Sequence, residues 1–386
     1  MALPISYNVR SLRVRWQVTL LAIAGIAMVI AVFVVLGAMA AGFRIALRST
    51  GRPDNAIITQ KGSMSEMTSG IPRSHVDMIS VDGRVARDDK RQPLASPEIV
   101  LVANLKRNDG AETNVAIRGV TPKAMAVRGG VSISSGRAFT PGLYELMVGD
   151  RIADRFNLGL GKTLRLQRRE WTVVGTFKSE GNGFESEVWA DVNVLGPAFN
   201  RTGGFQSLVV RLKDPAQFDA FQRSVVDNPQ FQLRVDREID YYDAQAGGVA
   251  TLLMALAWFV SIVMAVGAVV GAMNTMYAIV ASRTREIGTL RALGFSRLAI
   301  LTSFVLESLL LAVVAGGLGC LIAMPANTLT GATGQATFSE ISFAFRVTPA
   351  IVVTAMIFAA WMGFLGGLLP AMRAARMPIT SALRAV

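Results

Sequence analysis

The chain has 386 residues, 52% of them hydrophobic and only 17% charged, with a mean hydropathy of +0.42. Soluble globular domains carry roughly 25% charged residues, so this composition argues against an ordinary soluble enzyme and for a membrane protein. Lys and Arg outnumber Asp and Glu by 39 to 27, but the basic residues are spread along the chain rather than gathered on one surface, so no nucleic-acid partner is expected.

In chain order, the first apolar run is Trp16 to Phe43, 28 residues without a charge. About 20 helical residues cross a hydrocarbon core, so this is a first span. Ala38-Met39-Ala40 resembles a signal-peptidase site, but the apolar stretch before it is longer than the usual signal core, and a retained span is the preferred reading. A second run, Ala244 to Ser282, has 39 uncharged residues, about 58 Å of helix and more than a tilted span needs. One end of it is expected to project as a stalk. A third run, Leu298 to Met324, is interrupted only by Glu307 and closed by Pro325; a fourth, Val347 to Met372, ends near Pro370.

Orientation follows from the flanking arginines, because short basic segments stay cytoplasmic. Arg10, Arg13 and Arg15 precede the first span; Arg283, Arg285, Arg291 and Arg297 separate the second and third; Arg373, Arg376 and Arg384 follow the fourth, with Glu286 the one acid among them. The segment between spans three and four carries only Glu340 and Arg346. Both termini are therefore expected in the cytoplasm, and residues 44–243, with 28 basic and 24 acidic residues, outside.

Within that outer region, Ala56 to Thr59, Glu98 to Leu105 and Glu112 to Val120 read as strands, the last two joined through Asp109-Gly110 as a hairpin. Leu164 to Gln167 and Trp171 to Phe177 read as a second hairpin and Ser207 to Leu212 as a strand. A helix is expected after an Asp214 cap, with Pro215 at its first position and Phe218, Phe221 and Val225 on one face. Ser63 to Gly70 and Gly181-Asn182-Gly183 are either mobile or plain surface loops. Asn157 to Thr163 ends in Gly-Lys-Thr, but Phe156 stands where a phosphate-binding loop needs its first glycine, so a turn before the strand at Leu164 is expected. The lone His75 reads as a surface residue. Cys320 has no partner for an intrachain disulfide, and neither residue supports a metal site. No segment supplies a catalytic constellation, so the chain is read as non-catalytic, and if it uses ATP a partner must hydrolyse it.

The fold expected is thus a membrane protein with four transmembrane α-helices and a large α+β extracytoplasmic domain inserted between helices 1 and 2. The divisions are a cytoplasmic segment (1–17), helix 1 (18–43), the outer domain (44–243), a stalk with helix 2 (244–282), a cytoplasmic loop (283–297), helix 3 (298–324), a short outer loop (325–346), helix 4 (347–370) and a cytoplasmic tail (371–386).

The loop between spans two and three reads RTREIGTLRALGFSR, in which Ile287, Leu290 and Leu293 recur at helical spacing, with Gly294 as a stop and Arg285 and Arg291 pointing elsewhere. From periodicity alone it is either an amphipathic surface helix or a solvated basic connection. This stretch resembles the cytoplasmic loop of the MacB/FtsX-type ABC transporter permeases, also called type VII permeases or mechanotransmitters. LESLLLAVVAGGLGCLIA resembles the family's third span, PAMRAARMPITSALRAV its tail, and Gly136-Arg137, Val148-Gly149, Ala153 and Val173-Val174-Gly175 are similar to its periplasmic domain. The resemblance implies a permease subunit in a bacterial inner membrane, paired with a second copy or a sister permease. Each permease would dock a separate ABC ATPase through a coupling helix drawn from Arg283, Arg285, Glu286, Ile287, Leu290, Arg291, Leu293 and Gly294. ATP-driven rocking of the spans would move the periplasmic domain to export or extract a substrate at the outer face, together with a periplasmic adaptor and outer-membrane channel. An extractor of lipoproteins or lipids, or a signalling permease that activates cell-wall hydrolases, are the alternatives. Glu307 matches a family glutamate and is read as a bundle-facing or interface-facing hydrogen-bonding group. Gly316, Gly317 and Gly319 form a small-residue face for helix contact, within one subunit or between two.

Overall fold

The computed structural model describes residues 16–333 and 341–379; Arg10, Arg13, Arg15, Glu340 and Arg384 lie outside the described residues. The chain divides into two compact units. A helical unit takes in Thr251–Leu329 and the stretches before Gly42 and after Ala344, and a sheet unit takes in Gly42–Ala250 and Thr330–Ala344.

The helices in chain order are α1 (Trp16–Arg48), α2 (Arg73–Ser80), α3 (Ala124–Arg128), α4 (Asp150–Phe156), α5 (Val192–Ala198), α6 (Phe218–Val226), α7 (Glu238–Ser282), α8 (Thr284–Ala292), α9 (Arg297–Ala323) and α10 (Pro349–Arg376). Four of them, α1, α7, α9 and α10, are long and apolar enough to cross a membrane. Ser296 caps α9 by accepting from the Ala299 amide, and Thr348 caps α10 with Pro349 in its first turn. The sequence reading ends the fourth helix near Pro370, whereas α10 runs on to Arg376 with Pro370 inside it. The ring of a helical proline crowds the carbonyl four residues earlier. Here that residue is Gly366, followed by Gly367, so the ring meets a turn that begins with two residues lacking side chains.

The strands are β1 (Asn55–Gln60), β2 (Ile71–Pro72), β3 (Ala95–Lys106), β4 (Glu112–Val120), β5 (Ser132–Gly136), β6 (Glu145–Gly149), β7 (Thr163–Leu166), β8 (Arg169–Lys178), β9 (Glu187–Asp191), β10 (Gly204–Phe205), β11 (Ser207–Arg211), β12 (Leu233–Arg237), β13 (Thr330–Thr333) and β14 (Ile341–Ala344). Ten of them form one mixed sheet in the order β12-β1-β11-β3-β4-β9-β6-β8-β5, with β7 also on β8. Both expected hairpins are present, β3 with β4 and β7 with β8. The Asp214 carboxylate accepts from the Ala216 amide and Pro215 follows, but the first turn is 3-10 and α6 begins at Phe218, burying Phe218, Phe221 and Val225. The Gly-Lys-Thr segment is the turn into β7, with Asn157 left-handed at the end of α4.

Three outer-domain expectations are corrected. Ser63 to Gly70 holds a 3-10 turn, Glu66–Thr68, whose Glu66 is buried. Gly181 to Gly183 is pinned rather than free: the Gly183 amide donates to Thr50 Oγ1, and the Ser179 and Gly181 amides donate to Glu185 Oε1. His75 is half-buried, its ring 4.9 Å from that of Phe231. Local composition reads these segments as polar; the partners that order them are remote in sequence. The segment between the third and fourth long helices also carries an unexpected hairpin, β13 with β14. Within the sheet unit, the Ser342 amide donates to Ser186 Oγ, Arg151 donates to the Ser342 carbonyl, and Phe343 packs edge-on against Phe43.

The family-like glycines sit where backbones nearly touch. A Cβ on Gly175 would strike the Arg137 carbonyl, and one on Gly149 the Glu185 carbonyl. Gly175→Ala is therefore expected to destabilise the sheet unit by about 1–3 kcal/mol through overpacking; an unchanged melting temperature would refute this reading of Gly175.

Candidate functional site

The turn from α7 into α8 is made by Arg283, which leaves helical geometry at φ −111° and folds its side chain inward. Its Nη1 donates to Glu307 Oε2 at 2.9 Å, its Nε donates to Glu286 Oε2 at 3.2 Å, and the guanidinium lies 5.7 Å from the centre of the Phe304 ring. Arg283 is 7% exposed and Glu307 1%. A carboxylate buried in an apolar span is tolerable only when a cation or donors replace its water. Arg283 supplies that replacement, so the glutamate anticipated as a hydrogen-bonding group is half of an ion pair that fastens α8 to α9.

The remaining loop residues divide by direction. Ile287 is buried in a cluster with Met276, Ile300 and Phe304, and Leu290 packs at its edge. Arg285 and Glu286 are exposed, and Arg291 is half-buried with its Nε unpartnered. Leu293 departs from the expected apolar face: α8 ends at Ala292, Gly294 takes φ +92°, and Leu293 stands 73% exposed. A helix anchored on one side thus presents charge and one bare leucine on the other.

Among the glycines of α9, a Cβ on Gly316 would meet Ala359 at 2.9 Å and one on Gly319 the Ala27 carbonyl at 2.6 Å, so both allow close helix contacts within the chain. Gly317 faces open space. The α7 glycines Gly247, Gly248, Gly267 and Gly271 likewise have nothing within 4 Å of an added Cβ, so packing inside this chain does not require them.

The sheet unit contains a second constellation that sequence reasoning missed. Arg118 donates to Glu66 at 3.0 Å, Glu98 at 2.9 Å and Glu187 at 2.7 Å. Arg128 donates to Glu98 and, at 2.5 Å, to Glu238, which opens α7. The Phe184 ring lies under both guanidinium groups. Burial opposes ionisation of Glu66, but the charges of Arg118 and Arg128 and hydrogen bonds from Arg118 and Ser207 outweigh it and hold its pKa below the ordinary range. Burial also opposes the charge on Arg128, yet Glu98 and its other acidic neighbours keep its pKa above the usual value. A cavity of about 100 Å³ beside the cluster is lined by Leu47, Glu66, Val100, Arg118, Glu187 and Tyr242, room for a few water molecules at roughly 30 Å³ each. The available signal was a charge inside an apolar strand, Glu98 in β3 and Arg118 in β4. Among the described residues no group of three or more His, Cys, Asp or Glu is arranged to hold a metal.

Two measurements test these constellations, and a third tests the separate Arg137–Glu145 ion pair of the sheet unit. Arg128→Met leaves Glu98 and Glu238 short of a cation and is expected to cost about 3–5 kcal/mol, read as the loss of fluorescence from the buried Trp171 and Trp189 at lower denaturant; wild-type stability would refute the cluster's role. Arg283→Met should destabilise more than the double variant Arg283→Met/Glu307→Met, because the single change strands a carboxylate that the double removes; additive effects would show no coupling. Arg137 hydrogen bonds hold Glu145 down at about 2. A depressed carboxylate contributes stability that is complete above its unfolded value, 4.5, and is lost as pH falls toward 2. Glu145→Gln should flatten that part of the stability profile, and an unaltered slope would contradict it.

The model of the MacB-like periplasmic core domain matches residues 19–228, more than half of the chain, and that of the FtsX-like permease C-terminal region matches 258–379. A macrolide export ATP-binding/permease protein MacB from Brucella abortus is 28% identical over 229 residues, 56% of this chain and 34% of that protein. One from Rhodopseudomonas palustris is 24% identical over 327 residues, 79% of this chain and 48% of that protein. The chain thus spans between a third and a half of these relatives' length. Among solved structures, the periplasmic region of MacB from Actinobacillus actinomycetemcomitans aligns with a TM-score of 0.39 at 11% identity, covering 53% of this chain and 95% of that one. The extracellular domain of the ABC-type transporter YknZ aligns at 0.37 and 18%, covering 47% and 99%. The chain belongs to the MacB/FtsX-type ABC transporter permease family.

Proposed function

We propose that this chain is the permease subunit of an ABC transporter of a bacterial inner membrane. It works as a dimer, with α8 as the coupling helix for a separate subunit that binds ATP and Mg and hydrolyses ATP. The observation that carries the reading is the two-sidedness of α8. Arg283 and Ile287 fasten it to the bundle, while Arg285 and Leu293 face away from the chain. A surface that must receive force from a partner needs both properties.

Two further features support it. Hairpin β13–β14 belongs to the same compact unit as residues 42–250 although α7, α8 and α9 lie between them in sequence. This supports a topology in which four spans leave both pieces on one side of the bilayer and the termini with α8 on the other, which the positive-inside rule makes the cytoplasmic side. The second feature is a seam on α7. Leu252, Leu256, Phe259, Val263, Val266 and Val270 follow steps of four and three and are 48–68% exposed. That is the spacing at which two helices interlock, and the unpacked Gly267 and Gly271 lie on the same helix. ATP-driven closure of two such helices would move the sheet units to act on a substrate at the outer face, with an adaptor and outer channel as further partners.

Reversing Arg285 and Arg291 to Glu is expected to lower permease-stimulated ATP hydrolysis at least tenfold, roughly the loss of two charge-assisted contacts of about 1 kcal/mol each, while the protein stays in the membrane; wild-type stimulation would refute the assignment of α8. In a Cys320→Ala background, a cysteine at Met64, 92% exposed in the sheet unit, should react with an impermeant maleimide in intact cells and one at Thr289 should not. The reverse pattern would overturn the topology.

A further inference from the structure

Guanidinium groups outnumber carboxylates in the helical unit, and two of them share one hollow. The unit's carboxylates among the described residues are Glu286 and Glu307, and Arg283 binds both. Arg373 and Arg376, one turn apart at the end of α10, are exposed and have no carboxylate partner among the described residues. Arg373 is not loose, since its guanidinium lies 5.6 Å from the centre of the Tyr277 ring of α7. The two arginines, with Leu369, Met372, Met377 and Pro378, line an open hollow of about 610 Å³.

The approach to that hollow is apolar. Trp361, Leu365 and Leu369 lead to Arg373 in steps of four along α10, and the three are 49–59% exposed. From Trp361 to Arg373 is about 18 Å at 1.5 Å per residue, close to one leaflet of the roughly 30 Å hydrocarbon core. A hydrocarbon track that ends on paired guanidinium groups is complementary to one kind of molecule, a chain-bearing phosphate anion. Guanidinium forks match phosphate oxygens in pairs, and basic residues at the end of a span attract anionic headgroups; the hollow is lined wholly by the end of α10 and the two residues after it.

We infer that the Arg373–Arg376 hollow binds the phosphodiester of an anionic phospholipid, with one acyl chain lying along the Trp361 to Leu369 stripe. The lipid supplies the negative charge that the helical unit's own carboxylates do not. A second copy of this chain seated on the stripe would cover the leucines but bring further arginines to the same end, so charge favours the lipid.

The test uses the full-length protein purified in a neutral detergent and titrated with dioleoylphosphatidylglycerol, dioleoylphosphatidylcholine or inorganic phosphate, reading melting temperature and lipid retained in native mass spectrometry. Phosphatidylglycerol is expected to raise the melting temperature and to be retained, while phosphatidylcholine does neither. Arg373→Gln/Arg376→Gln should weaken phosphatidylglycerol binding about tenfold or more, given the contribution of each basic residue at an anionic surface. Arg376→Gln alone, at the exposed helix end, should weaken it by a smaller factor and serves if the double variant does not fold. Arg297→Gln, the same charge change at the start of α9, should leave binding unchanged. Equal responses to the two lipids, a full response to inorganic phosphate, or an equal loss in Arg297→Gln would each overturn the inference. So would a double variant that binds phosphatidylglycerol normally, whether it forms fewer dimers or loses ATPase coupling instead; either result would assign the face to a protein.

Discussion

A charged group inside a bilayer must carry its own solvation, and much of the helical unit is arranged around that requirement. Glu307 lies within a helix that is otherwise apolar from Leu298 to Ala323, and the bulk water that would stabilise it is absent. Arg283 takes the place of that water. To reach Glu307 it must leave the line of α7, and the break it makes is what turns the chain into α8. One ion pair therefore sets the end of the second long helix, the start of α8 and the contact of both with the third. Ile287 then fixes the rotation of α8 by entering the apolar cluster of Met276, Ile300 and Phe304, and rotation decides that Arg285 and Leu293 face outward.

The sheet unit repeats the same economy with different parts. Arg118 and Arg128 gather Glu66, Glu98, Glu187 and Glu238 from four separate elements, and Glu238 is the first residue of α7. The first turn of that 45-residue helix is thus bound to the sheet through a buried ionic contact rather than through apolar packing alone. Hydrophobic contacts can slide past one another, but a buried salt bridge that slips strands a charge and costs several kcal/mol. Such a joint suits a helix proposed to carry displacement along its axis. Gly175 and Gly149 add rigidity where strands and loops approach too closely for any side chain.

Much of this was legible in the sequence wherever the signal is local. The four apolar runs, the β3–β4 and β7–β8 hairpins and the Asp214-Pro215 start depend on residues adjacent in the chain, and the structure contains each of them. What stayed hidden depends on distant partners. Strands β6 and β9 are short and lie against neighbours reached only through the folded sheet, β6 parallel to β8 and β9 parallel to β4. Glu66 looks like a loop residue until Arg118, 52 positions away, is placed beside it. The pairing of Arg283 with Glu307 had both halves singled out, one as a coupling residue and one as a membrane glutamate, but nothing in one dimension joins them across 24 positions. Leu293 failed for a smaller reason: the helical period was carried one residue past the point where Gly294 ends the helix.

The central claim is that α8, held by Arg283 and Glu307, is the surface through which an ATP-hydrolysing partner acts. The most direct measurement is site-specific photo-crosslinking from Leu293 in native membranes, with mass spectrometry of the product and the same probe at Met64 for comparison. A nucleotide-binding subunit should be captured from Leu293 and not from Met64. Its absence from Leu293, or equal capture from both positions, would contradict the account.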